Sequence, residues 1–97
     1  MTFYWEIKAT DDYIDQLSQL SEKDQSDIGR HWIEVATNED PLAIGRTTTC
    51  PQGKPFVLVI FPGLAFEFIY ELDRDNKIIR LINCERLTFL DHGQVSI

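Results

Sequence analysis

Between Pro55 and Tyr70 the chain contains no lysine or arginine. Basic residues are scarce throughout, nine against sixteen acidic ones, for a formal charge of −7. That balance disfavours direct binding of nucleic acid, because attraction to a phosphate backbone depends on clustered Lys and Arg. It suits a basic partner segment better. Cysteine is nearly absent: Cys50 and Cys84 form no CxxC pair, which fits two free thiols in a cytosolic protein better than a disulfide scaffold. No secretory core, long apolar span or lipidation motif is present, so the expected location is cytoplasmic and away from membranes.

Catalytic signatures are equally thin. Gln52-Gly53-Lys54 and Pro62-Gly63 match neither phosphate-cradling motif. His31 and Glu34 stand three apart on a predicted helix, but two ligand types at one spacing make a solvated helix face, not a metal site. Cys84, Glu85 and His92 include the residue types of thiol catalysis, yet their spacing does not make them converge, and a cysteine ending an apolar strand is usually packed core. No metal or other cofactor is expected.

What the chain does have is apolar: 43% of its residues, with eleven aromatics (two Trp, three Tyr, six Phe). Ninety-seven residues support one core, so residues 1–97 form a single domain. Most strand-forming residues lie between Phe56 and Cys84. Phe56-Val-Leu-Val-Ile-Phe61 is a continuous apolar run, and Pro62-Gly63 follows with the residues of a type II turn. Leu64 to Leu72 returns, Asp73-Arg-Asp-Asn76 turns again, and Lys77 to Cys84 makes a third pass. This predicts an antiparallel three-stranded meander.

A two-residue hairpin at Pro62-Gly63 sorts the side chains by alternation. Val57, Val59, Phe61, Leu64, Phe66, Phe68, Tyr70 and Leu72 share an apolar face that must be covered. Phe56, Leu58, Ile60, Ala65, Glu67, Ile69 and Glu71 share a mixed one. Leu58, Ile60, Glu67 and Ile69 are therefore candidate binding residues, with a second layer of the domain's own core as the alternative.

Ahead of the meander, Thr2 to Lys8 alternates like a strand around Phe3, Trp5 and Ile7. Thr10 can cap a helix that opens with Asp11 and Asp12 and places Tyr13, Ile14, Leu17 and Leu20 on one face. Ser21, with Asp24 three residues on, can cap a second helix bearing Ile28, Trp32, Val35 and Ala36. From Asn38-Glu-Asp-Pro41 to Pro55 no periodicity is visible, which predicts a loop. The expected fold is α+β: an N-terminal strand, a two-helix hairpin, then the meander.

Four stretches resemble the RelE/ParE toxin superfamily over roughly residues 3 to 90. Trp5-Glu-Ile-Lys8 with Asp11-Asp-Tyr-Ile14 looks like its opening strand and first helix. Leu17 and Leu20 ahead of Asp24-Gln25 look like the junction into the second helix. Phe68-Ile-Tyr-Glu-Leu72 is similar to a characteristic strand, and Ile82-Asn-Cys-Glu-Arg86 to the final strand with its arginine. The resemblance implies a bacterial toxin-type protein held by an antitoxin, with messenger cleavage or gyrase inhibition as family activities. The family's arginine three residues before the tyrosine matching Tyr70 is replaced by Glu67. Arg86 is retained, and His92 stands where a C-terminal acid or base would be, so these two are the catalytic candidates. Three functions are implied: protein binding to an antitoxin or cellular target, ribosome-dependent RNA cleavage with a reduced basic set, or a non-toxic homodimeric interaction module.

Overall fold

The computed structural model describes residues 3–50 and 55–87. Strand β1 (Glu6–Ala9) leads into helices α1 (Asp11–Ser18) and α2 (Glu22–Ala36), followed by β2 (Arg46–Thr49), β3 (Phe56–Ile60), β4 (Phe66–Asp73) and β5 (Ile78–Arg86). The five strands form one sheet in the order β1-β5-β4-β3-β2. The chain is thus α+β, with antiparallel pairing from β2 to β5 and β1 added in parallel to β5.

Both helices begin where their caps predict. The Thr10 hydroxyl accepts from Tyr13 N–H, and the Ser21 hydroxyl accepts from Asp24 N–H. Each satisfies an amide that has no partner within its helix. The helices cover one face of the sheet. Trp32 lies edge-on to Phe61, Phe68 and Tyr70, with ring centroids 5.2, 5.4 and 5.7 Å apart, and donates its indole N–H to the Tyr13 hydroxyl at 2.9 Å. Val57, Val59, Leu72, Ile79 and Leu81 complete this buried layer. One polar atom in it has no partner among the described residues, the buried Tyr70 hydroxyl.

Several expectations need correction. The predicted loop between Pro41 and Pro55 contains a 3-10 turn (Pro41–Ala43) and β2. β2 reads Arg-Thr-Thr-Thr and lacks apolar alternation, but threonine is β-branched and suits an edge strand. The three-stranded meander is therefore part of a larger sheet. Gly45 sets the entry to β2: its φ is +78°, and a Cβ there would stand 2.9 Å from Val59 Cγ2. The first strand starts at Glu6, leaving Phe3 and Tyr4 exposed before it. Ile14, placed on the apolar face of α1 by its spacing, is half exposed.

The hairpin is also wider than two residues. Leu64 N–H donates to Phe61 C=O at 3.1 Å across Pro62 and Gly63, and Gly63 has φ +88°, as a type II turn requires. The ladder, however, pairs Ile60 with Glu67 and Val57 with Tyr70. That register is displaced by two residues from the tight hairpin. A displacement of two keeps every side chain on its face, so the sorted faces survive.

Trp32→Ala should cost about 3–5 kcal/mol in urea unfolding, since it removes the centre of the aromatic layer. Ile33→Ala on the exposed side of α2 should stay within about 0.5 kcal/mol.

Candidate functional site

The second face of the sheet has no described element packed on it. Pairing and alternation arrange it in rows across the strands. One row runs Thr48, Leu58, Ile69, Asn83, and another runs Arg46, Ile60, Glu67, Glu85. A third runs Phe56, Glu71, Arg80, Lys8. The four binding candidates Leu58, Ile60, Glu67 and Ile69 are thus brought together, each half-buried by its neighbours. Phe56, at the end of the patch, is exposed.

Charge on this face is uneven. Arg80 is ion-paired with its cross-strand neighbour Glu71, and Lys8 lies 3.9 Å from Glu6. Glu67 stands directly opposite Glu85, and neither carboxylate has an ion-pair partner among the described residues. Arg46 shares their row but lies two strands from Glu67, roughly 10 Å at the usual strand spacing.

A β-bulge sets this arrangement. Ile69 pairs with Asn83, but Tyr70 pairs with Leu81, so β5 carries one extra residue at Ile82. Without it, alternation from Ile79 and Leu81 would turn Arg86 to the open face and Glu85 toward the helices. With it, Cys84 is buried and Arg86 follows Cys84 to the helix side, where its guanidinium lies 4.7 Å from the Phe66 ring centroid. The bulge is held from α1 and its cap. The Thr10 hydroxyl donates to Leu81 C=O at 3.0 Å, and Gln16 accepts from Cys84 N–H at 2.8 Å while donating to Asn83 Oδ1 at 2.6 Å.

The structure therefore separates the candidates. Arg86 is exposed, but on the opposite face from Leu58, Ile60, Glu67 and Ile69. His92 lies outside the described residues. Tyr70 is 1% exposed, and burial pushes its hydroxyl up to about 12, so it is a core residue. Cys84 is a buried free thiol whose burial raises it to about 11, partly offset by Arg86, which suits packing and not nucleophilic attack. His31 Nδ1 lies 2.8 Å from Asp27 C=O, and its ring packs 4.9 Å from Phe61. No group of three or more potential metal ligands occurs among the described residues, and none of their helices is long and apolar enough to cross a membrane.

Glu85, named from the sequence only beside Cys84, was not placed on this face, because its orientation depends on the bulge.

No family model and no curated protein matches the sequence. Solved structures do resemble the fold. The isolated RelE toxin of E. coli superposes with a TM-score of 0.69 at 8% identity, covering 95% of this chain and 96% of that one. The RelE–RelB complex of the archaeon Pyrococcus horikoshii OT3 gives 0.70 at 10% identity, over 88% and 97%. The toxin–antitoxin complex RelBE2 of Mycobacterium tuberculosis gives 0.62 at 12% identity, over 84% and 96%. The chain has a RelE-like fold.

The raised thiol of Cys84 has a signed consequence. Its contribution to stability is complete below its ordinary value of 9.0 and is lost as pH rises through about 11. In the native protein at pH 8, iodoacetamide should leave Cys84 unmodified, whereas urea should expose it to alkylation. Rapid native alkylation, read by peptide mass, would contradict its placement.

Proposed function

We propose that this protein is a bacterial, cytoplasmic toxin-type protein that acts by binding protein, either an antitoxin segment or a cellular target. One observation carries the reading. On the open face, at the position where the resembled family carries an arginine, Glu67 faces Glu85 with no described cation beside them. RNA cleavage needs positive groups that hold phosphate and stabilise charge developing in the transition state. Of the described cations on this face, Arg80 and Lys8 are committed to Glu71 and Glu6, and Arg46 stands two strands away from Glu67. Apolar half-buried side chains beside the carboxylates suit a protein contact better. That similar folds occur in complexes with the antitoxin RelB supports an antitoxin-like partner.

A ribonuclease reading draws on one feature, the exposed Arg86. The two readings separate in a growth experiment. Induced alone in a bacterial host, the chain should lower viable counts, and Arg86→Ala should leave that effect in place with messenger RNA intact. If RNA cleavage were the activity, Arg86→Ala should reduce it about 100–1000-fold, the usual cost of losing one charge-stabilising donor. Growth rescue by Arg86→Ala together with loss of RNA cleavage would overturn the protein-binding reading.

A further inference from the structure

The open face states what kind of segment it lacks. Leu58, Ile60, Ile69 and Ile82 are half-buried and Phe56 exposed, under no described element. A sheet face with this much apolar surface is ordinarily covered by a helix or a second sheet. Glu67 and Glu85 sit at one end of that strip as directly opposed like charges. Such a cross-strand pair weakens a sheet unless something else neutralises it. The described cations do not: Arg80 and Lys8 are occupied by Glu71 and Glu6, and Arg46 is on the far edge of the row.

Charge also decides among occupants. The residues from Thr88 to Ile97 contain one side-chain carboxylate, Asp91, and no lysine or arginine, so they bring no fixed cation. A second copy would bring a further formal charge of −7 to this face. Nucleic acid would set phosphate against carboxylate.

We infer that the open face receives a basic amphipathic helix from a partner protein. Its apolar side would lie on Leu58, Ile60, Ile69 and Ile82, and its Lys or Arg over Glu67 and Glu85. This rests on the protein-binding reading above and deepens it by fixing the partner's charge. The apolar strip supplies contact area, while the two carboxylates select a basic segment over an acidic one with the same apolar pattern. Such opposed charges mainly set specificity and salt dependence.

The test uses the full chain, labelled at Leu, Ile and Val methyls, and two synthetic helical peptides of the same heptad pattern. One is built from leucine and lysine, the other from leucine and glutamate. The lysine peptide should shift the methyl signals of Leu58, Ile60 and Ile69, with affinity falling as salt is raised. The glutamate peptide should not shift them. Glu67→Gln with Glu85→Gln should weaken the lysine peptide by about tenfold or more, as expected for close charge pairs. The same change of net charge at the exposed Glu34 and Glu39 should leave its affinity within about twofold, in line with the small effect of distant surface charges. The Glu67/Glu85 variant should melt no lower than the parent, since it relieves an opposed pair, so loss of binding would not reflect unfolding.

Equal binding of both peptides, or equal weakening by the two double variants, would overturn the basic-partner inference and leave protein binding standing. Shifts at these methyls caused by an RNA oligomer and by neither peptide would overturn both. No shift with any of the three would reject the basic helix, while the growth experiment would still decide the protein-binding reading.

Discussion

The fold depends on one side of one sheet being filled by aromatic rings, with Trp32 at the centre. Its indole meets Phe61, Phe68 and Tyr70 edge-on and is fixed from the other side by the Tyr13 hydroxyl. Edge-to-face packing places the ring's positive edge against its neighbours' negative faces, which adds orientation to the area buried. Both helices are thereby committed to the same face. Side chains alternate along a strand, so covering one face completely leaves the other to residues of a different kind.

What that other face offers is decided by a single inserted residue. The bulge at Ile82 exchanges the orientations of Glu85 and Arg86 relative to uninterrupted alternation, placing a carboxylate and not a guanidinium beside Glu67. Thr10 and Gln16 satisfy the β5 backbone groups beyond the reach of β1, so the helix that helps to build the core also holds the bulge. The short distance in sequence between the cap of α1 and Gln16 ties the chemistry of the open face to the start of the first helix. The outcome is a partly apolar face with an opposed pair of carboxylates at one end.

Much of this was legible in the sequence where a local rule applied. Thr10 and Ser21 cap as their positions predict, and the apolar side of the β3–β4 hairpin emerged correctly although its register was displaced. The displacement was harmless because it was even. β2 was not legible: its threonines carry no periodic signal, and only pairing with β3 makes them a strand. Leu58, Ile60, Glu67 and Ile69 could be grouped from alternation, whereas Glu85 could not, because its orientation depends on hydrogen bonds from residues nearly seventy positions earlier. The likeness to RelE structures at 7–12% identity is one of fold alone. Strand alternation and caps fix strands and helices without fixing the charges on an open face.

A partner can reach that face only if it is uncovered in the isolated protein. The most direct measurement of this is solvent paramagnetic relaxation of side-chain methyls in the isolated full chain, using a neutral soluble probe. The methyls of Leu58, Ile60 and Ile69 should relax strongly, while those of Ile28, Val59 and Ile79 should be protected by the helix-covered core. Equal protection of Leu58, Ile60 and Ile69 would mean that the face is already filled by this chain or a second copy, and would contradict the account.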